Sequence, residues 1–235
     1  MNRVPEEELM DVPRNAQAYA GADFSEPNAK FLALFAEKFP AFEGKHILDL
    51  GCGPADITLQ LAYRYPQARV VGADGAGAML ELAHELLLRH SALADRVDLR
   101  CWHIGRDANP LGSDPFHAVV SNSLLHHLRD PLDLWRTIFA CAAPGAAVLV
   151  MDLIRPQSRI EAEQIVAAYA GREMDELRAD FLNSLFAAYR PVEIIEQLAS
   201  LNMDLLQLEV VSDRHFIVFG SMRESMIPKS RGLIG

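Results

Sequence analysis

The sequence has little of several features that mark particular protein classes. Its 235 residues include only three cysteines, Cys52, Cys101 and Cys141, and their wide separation gives neither a paired disulfide framework nor the spacing of a zinc site. Basic residues number 22 against 32 acidic ones, and the net charge of −10 argues against extended binding to nucleic-acid phosphates. The longest apolar run, near residues 146–151, is too short to span a bilayer.

The start of the chain and its composition indicate a globular protein. Residues 1–15 are acidic, contain proline and lack the apolar core of a signal peptide. Apolar residues make up 50% of the chain, which is enough for a large core. We therefore expect a cytoplasmic protein with reduced cysteines and no membrane role, either a monomer or a homodimer. Its expected parts are a mobile N-terminal lead (1–18), a single domain (19–220) and a C-terminal tail (221–235).

The stretch HILDLGCGPADITLQLA, residues 46–62, carries the strongest motif. The residues before the glycines are mostly apolar, as in a strand that is buried in a parallel sheet, and helical spacing resumes after them. Gly51 and Gly53 therefore predict a turn between a strand and a helix. Such a turn lets a ligand approach the backbone closely, and its N–H groups and the positive helix end favour polar or anionic groups.

The segment DLGCGPAD within this stretch resembles the first motif of the class I S-adenosylmethionine (SAM) methyltransferases. In that family the turn contacts the amino-acid part of SAM, and an acidic residue precedes it, which Asp49 matches. A dinucleotide-binding fold has instead a third glycine at the position of Asp56. A carboxylate there repels a pyrophosphate, so an NAD-binding protein is the less favoured interpretation.

A second acidic position supports the resemblance. Asp74 ends a second predicted strand around Val70 and Val71 and follows Gly51 by 23 residues, close to the roughly 20 expected for the residue that binds two ribose hydroxyls. A carboxylate can accept both hydroxyl protons in a bidentate arrangement. The alternative interpretation is that Asp74 only caps the following helix.

The resemblance implies that SAM binds along the carboxyl ends of the predicted strands, with S-adenosylhomocysteine (SAH) as the product. For Tyr19, Met79 and His103, ordinary packing or surface exposure is the alternative interpretation. The residues implied to contact the cofactor are Tyr19, Asp49, Gly51, Cys52, Gly53, Asp74, Gly75, Met79, His103, Ile104, Asn122 and His127.

The segment SNSLLHHL, residues 121–128, follows the fourth predicted strand. In the family this segment lies under the methyl donor and often faces the acceptor. His126 is the candidate catalytic residue, because imidazole near neutral pH can take a proton from the acceptor or orient it. The alternative is that His126 and His127 only pack or hold the loop. The resemblance implies no metal.

The predicted fold is α/β, a doubly wound, mostly parallel seven-stranded sheet. Two β-rich runs, 205–211 and 215–220, are joined too tightly for a parallel crossover and predict a C-terminal antiparallel hairpin. By resemblance, residues 19–42 form an N-terminal cap over SAM. A helical insertion at about 155–190 forms a lid that selects the acceptor, and an anionic acceptor can bind its arginines, Arg155, Arg172 and Arg190, if they point inward.

The expected function is methyl transfer from SAM to a small-molecule acceptor, in which the protein mainly aligns donor and acceptor. The acidic charge and the lack of an appended nucleic-acid-binding domain favour a small acceptor. Three alternatives remain open: a SAM-binding enzyme of different chemistry, a non-catalytic SAM-binding protein, and, least favoured, an NAD-dependent oxidoreductase.

Overall fold

One mixed sheet of seven strands forms the centre of the protein. The computed structural model describes residues 1–6, 16, 17, 19, 21, 24–203 and 205–222. The strands are β1 (His46–Leu50), β2 (Arg69–Asp74), β3 (Val97–Cys101), β4 (Phe116–Asn122), β5 (Ala142–Leu153), β6 (Gln207–Val210) and β7 (His215–Ser221).

The order of the strands brings the carboxyl ends of the first five to one edge of the sheet. The order is β3-β2-β1-β4-β5-β7-β6, with β1 to β5 parallel and β7 antiparallel to both β5 and β6. The order reverses between β1 and β4, which is where open α/β sheets bind their ligands. The predicted doubly wound fold and its C-terminal antiparallel hairpin are confirmed.

Helices cover both faces of this sheet. On one face, Phe31 and Phe35 of the first helix are fully buried in an apolar cluster that includes Val120 of β4 and Leu149 of β5. On the other face, Trp135 and Ile138 are fully buried. Burial of such large side chains stabilises by about 1.5–3 kcal/mol each. The helices are α1 (Ser25–Lys38), α2 (Asp56–Arg64), α3 (Gly77–Arg89), α4 (Leu132–Cys141), α5 (Arg159–Tyr169), α6 (Asp175–Ala187) and α7 (Pro191–Ser200), with 3₁₀ turns at Ser91–Leu93 and Leu125–His127.

The predicted helical insertion contains α5 and α6, which pack against each other around a small apolar cluster of their own. Ser158 caps α5, because its side chain accepts a hydrogen bond from the Glu161 N–H at 3.2 Å. Within the described residues, no helix is both long enough and apolar enough to cross a membrane.

α1 begins at Ser25, and Phe24 occupies its capping position without a side-chain bond. β5 begins at Ala142, ahead of the apolar run near residues 146–151. The extra length is possible because the chain beyond β7 continues alongside, where the Met222 N–H donates to the Ala146 carbonyl at 2.9 Å.

Residues Met1–Glu6, here called the N-terminal segment, make specific contacts, although the sequence predicts a mobile lead. Val4 N–H donates to the Phe186 carbonyl at 3.0 Å, and the Arg3 guanidinium donates to the His126 carbonyl at 2.9 Å. These bonds place the segment against α6 and the turn after β4. The rest of the predicted lead, apart from residues 16 and 17, and the predicted tail beyond residue 222 lie outside the described residues.

Candidate functional site

A cavity of about 310 Å³ lies at the carboxyl edge of the parallel strands. Its volume is within the range of small-molecule pockets, about 300–1,000 Å³. The structure brings most of the predicted site residues together here. Those that line the cavity are Tyr19, Gly51, Gly53, Asp74, Gly75, Met79, His103, Ile104, Asn122, His126 and His127.

The turn Gly51–Gly53, here called the glycine turn, passes one side of the cavity. Both glycines have positive φ angles, +71° and +53°, which side chains other than glycine rarely adopt. A Cβ on Gly51 would lie 2.8 Å from the Leu124 Cβ, whereas a Cβ on Gly53 would meet nothing within 4 Å. Gly51 is therefore required for packing, and Gly53 leaves the backbone open to the cavity.

The N–H groups of the glycine turn are bonded within the protein, contrary to the expectation that they face a ligand. Gly51 and Cys52 N–H donate to the Ala73 carbonyl at 2.8 and 3.2 Å, and Gly53 N–H donates to Asp74 Oδ2 at 2.8 Å. The neighbouring strand β2 supplies these acceptors because it ends at the same edge of the sheet. The turn thus offers close approach and not anion-binding donors.

Asp74 joins two turns and also faces the cavity. Its Oδ1 accepts a hydrogen bond from the Ala76 N–H at 2.8 Å, and its Oδ2 accepts the bond from Gly53. Ala76 is the residue that precedes α3, so the capping role considered for Asp74 exists. A carboxylate has two oxygens that each accept more than one hydrogen bond, which suits the binding of two ribose hydroxyls.

Two predicted residues, Asp49 and Cys52, do not line the cavity. Asp49 is 1% exposed and accepts a 2.6 Å bond from Thr58 Oγ1. Alternation along β1 places Asp49 on the face of Ile47, toward α2 and away from the cavity. Burial raises the pKa of Asp49 to about 7, with Thr58 opposing and the charge of Asp74 adding to the shift. The Cys52 thiol is buried too.

Aromatic and apolar side chains form the part of the cavity beside β2 and β3. His103 and Ile104 line it as predicted, and Trp102, which the sequence analysis missed, lies with them. The Tyr19 and Phe24 rings pack against each other with centroids 4.5 Å apart. Burial, with the charges of Asp56 and Asp74, raises the pKa of Tyr19 to about 12. A planar ring such as adenine suits these walls.

His126 and Asp152 form a buried pair at the far end of the cavity. The His126 Nδ1 lies 2.6 Å from Asp152 Oδ1, and both side chains are 2% exposed. Asp152 also accepts bonds from the Leu125 and Leu153 N–H groups at 2.7 and 2.6 Å. Burial opposes a positive charge on His126, but the neighbouring Asp152 outweighs burial, so the pKa of the imidazole is raised. Burial also opposes a negative charge on Asp152, but His126 outweighs burial there, so the pKa of the carboxyl group is lowered. The pair fixes the ring with Nε2 directed away from Asp152.

The helical insertion and the start of β7 form the opposite wall, most of which sequence reasoning missed. Its side chains include Tyr169, Glu173, Asp180, Phe181, Arg214 and His215. One sequence signal was available for the last two: the first residue of an antiparallel β7 must lie at the carboxyl edge of β5, and His215 pairs with Leu153. Burial, with Arg214 adding, lowers the pKa of His215 to about 4.

The arginines suggested for an anionic acceptor do not line the cavity. Arg155 is 4% exposed and donates to the Ala188 carbonyl at 3.0 Å and to Glu193 Oε1 at 2.6 Å. Arg190 donates to the Met1 carbonyl at 3.3 Å, and Arg172 is exposed. The arginine that does line it, Arg214, lies over the Tyr169 ring, 3.2 Å from the centroid.

Residues 48–148 match a family described as "Methyltransferase domain". This part of the chain contains the glycine turn, Asp74 and His126. Solved structures match over more of the chain. One is the plantazolicin methyltransferase BpumL in complex with triazolic desmethylPZN analog and SAH, which has a TM-score of 0.68 and is 12% identical in sequence. The match covers 90% of this chain and 92% of the BpumL chain. Residues 48–148 are thus similar to a methyltransferase domain, and the chain as a whole shares the fold of this solved methyltransferase.

Further similar proteins are also methyltransferases. A SAM dependent methyltransferase from Aquifex aeolicus has a TM-score of 0.63 at 16% identity, covering 90% of this chain and 98% of its own. The trans-aconitate 2-methyltransferase of Variovorax paradoxus is 34% identical over 124 residues, 53% of this chain and 43% of that protein. The trans-aconitate 2-methyltransferase of Delftia acidovorans is 32% identical over 166 residues, which is 66% of this chain and 56% of that protein. Across the curated trans-aconitate 2-methyltransferases that it matches, the chain spans between 38% and 56% of their length.

Proposed function

We propose that the protein is a SAM-dependent methyltransferase that acts on a small-molecule acceptor. The observation that carries this proposal is the position of Asp74: a carboxylate faces the cavity beside the open backbone of Gly53, at the point where the strand order reverses. The likeness to methyltransferases that bind SAH and to trans-aconitate 2-methyltransferases supports the assignment.

The residues at the two ends of the cavity fit SAM and an acceptor respectively. At the donor end, the two carboxylate oxygens of Asp74 suit the ribose hydroxyls, Trp102 and Ile104 suit the adenine, and the open backbone at Gly53 allows the amino-acid part to pass closely. When bound, SAM supplies a methyl group on a cationic sulfur. Asn122, whose buried Oδ1 has no hydrogen-bond partner among the described residues, lies between the two ends.

At the acceptor end, His126 is the proposed functional group. Asp152 holds its ring through Nδ1, so Nε2 is the nitrogen that can take up a proton from the acceptor or orient it. The helical insertion closes this end with Tyr169 and Phe181 and keeps water away from it. Holding donor and acceptor in line is the protein's main contribution, which reaches about 7–11 kcal/mol in favourable cases.

The acceptor is proposed to be a small molecule in the cytoplasm, where the three free cysteines stay reduced. Arg155 is buried and pairs with Glu193 of α7 outside the cavity, which does not favour recognition of a polyanion by the insertion. Trans-aconitate, named for the relatives, is therefore not carried over to this chain.

Titration calorimetry with SAH, SAM and NAD, followed by incubation of the protein with methyl-labelled SAM and a metabolite extract, tests the proposal. We expect SAH and SAM to bind, NAD not to bind, and label to appear in a small product with release of SAH. Binding without turnover in any pool would favour a non-catalytic SAM-binding protein. Cofactor breakdown without a labelled product would favour a SAM-binding enzyme of different chemistry. Lack of SAM binding would refute the proposed function and these two alternatives together.

A further inference from the structure

Two imidazoles and a carboxylate meet at the acceptor end of the cavity, and the carboxylate comes from the N-terminal segment. Glu6 Oε1 lies 3.1 Å from His127 Nδ1 and 3.5 Å from His126 Nε2. One ligand atom from each of the three residues lies within 4.8 Å of the others. Ligands bound to one metal at about 2.0–2.2 Å in tetrahedral geometry lie about 3.3 Å apart, so the two Glu6 distances already match. The His126 and His127 ring centroids lie 4.2 Å apart.

The surroundings of His126 resemble those of a metal-binding histidine. A ligating imidazole usually donates its second ring N–H to a carboxylate, which fixes the tautomer and the ring orientation. Asp152 holds Nδ1 of His126 in this way at 2.6 Å, and the opposite nitrogen, Nε2, is the one that approaches Glu6. Asp152 is itself fixed by two backbone N–H groups.

Glu6 is held in position by the fold. Ser184 Oγ donates to Glu6 Oε1 at 3.2 Å, and the bonds of Arg3 and Val4 anchor the segment on α6 and the His126 loop. The side chains of Glu6, His126 and His127 are 15%, 2% and 17% exposed.

We propose that Glu6, His126 and His127 bind one divalent transition-metal ion, such as Zn²⁺, at the acceptor end of the cavity. Two imidazoles and one carboxylate suit Zn²⁺, Co²⁺ or Fe²⁺ and not Mg²⁺ or Ca²⁺. Because His126 and His127 line the cavity, the remaining coordination positions face the acceptor. In the loaded protein His126 is a ligand and orients the acceptor through the ion. This site is independent of the proposed function, since ion binding requires neither SAM nor turnover.

The experiment uses untagged, chelator-treated full-length protein titrated with Zn²⁺ by calorimetry and with Co²⁺ by visible absorption. We expect one ion per chain and the d–d bands of low-coordinate Co²⁺. Loss of a group that holds a metal ligand in place costs about 10–100-fold in metal affinity. Loss of a ligand should cost at least as much, so Glu6→Gln should weaken Zn²⁺ binding by at least about tenfold. His127→Gln should do the same.

Two variants serve as controls. Glu163→Gln makes the same change on the exposed side of α5, where Glu163 is 53% exposed and lies 3.9 Å from Arg159. Cys101→Ser removes the exposed thiol, the most accessible competing ligand. Both should bind Zn²⁺ as the wild type does. Less than about 0.2 ions per chain, or equal affinity in the wild type and a folded Glu6→Gln variant, would overturn the proposal. Circular dichroism of each variant shows whether it is folded.

Discussion

Replacing Asp74 with asparagine tests the donor end of the site most directly. The substitution keeps the size of the side chain but removes its charge and one of its two acceptor oxygens. In the structure each oxygen accepts one backbone N–H, from Gly53 or Ala76, at 2.8 Å. The amide must therefore turn its NH₂ group toward one of these donors, and the ribose loses the corresponding acceptor.

The size of the effect follows from the bonds that are lost. A hydrogen bond to a charged group contributes about 1.5–3 kcal/mol, and about 1.4 kcal/mol changes a dissociation constant tenfold. Loss of one ribose bond should thus weaken SAH binding roughly 10- to 150-fold. The mispaired backbone N–H should in addition lower the free energy of unfolding by about 1–3 kcal/mol.

Calorimetry of SAH binding measures the first effect and urea denaturation the second. The matched control is Asp98→Asn, the same change on β3, where Asp98 is 51% exposed and pairs with Arg100 at 2.7 Å. An exposed pair contributes about 0–1 kcal/mol, so both quantities should change little. If folded Asp74→Asn binds SAH as tightly as the wild type, the assignment of Asp74 to the ribose is wrong.

Three further predictions concern the turn, the buried acid and the acceptor end. Gly51→Ala should destabilise the protein by more than the cost of the left-handed backbone alone, about 1–2 kcal/mol, because the added Cβ would lie 2.8 Å from the Leu124 Cβ. Gly53→Ala should instead mainly weaken SAH binding, and equal melting temperatures of the two variants would contradict this difference. Burial raises the pKa of Asp49 to about 7 in the folded protein from its ordinary value of 3.8, so the folded state holds this proton to higher pH than the unfolded chain does. The stabilising contribution of the proton is therefore full below pH 3.8 and is lost as the pH rises through about 7. Relative to Asp49→Asn, the wild type should lose up to about 1.4 kcal/mol per pH unit in this window, and parallel urea-denaturation profiles of the two proteins would refute the assignment. His126→Asn keeps a donor for Asp152 but removes Nε2, so methyl transfer should fall by about 100-fold or more with SAH affinity unchanged; an unchanged kcat would leave His126 with only a packing role.

The parts of the fold that depend on local pattern could be predicted from the sequence. Short apolar runs that end in glycine or aspartate identified the strands, and the spacing from Gly51 to Asp74 indicated that two turns lie side by side at the edge of the sheet. The antiparallel ending of the sheet followed from the few residues between β6 and β7. These features depend on chain stiffness and short connections, which the sequence encodes directly.

The contacts that join distant parts of the chain could not be predicted in this way. Glu6 meets His126 only because the N-terminal segment crosses α6, and no motif surrounds Glu6. The direction of Arg155 depends on Glu193, a partly exposed acceptor that lies in another helix. Asp49 is a different case, since alternation along β1 already placed its side chain opposite those of Leu48 and Leu50; family resemblance suggested cofactor contact, and strand geometry directs it to Thr58 instead.

The late position of β7 in the chain affects how the protein can fold during synthesis. β5 ends at Leu153, and its partner on that side begins only at His215. Until the ribosome has released that partner, the nascent chain carries an open edge on a long apolar strand, which invites pairing with other chains. Pairing of two strands that are so far apart in the sequence is slow. Chaperone protection during translation should therefore matter more for this protein than for one in which each central strand pairs with the next strand in the chain.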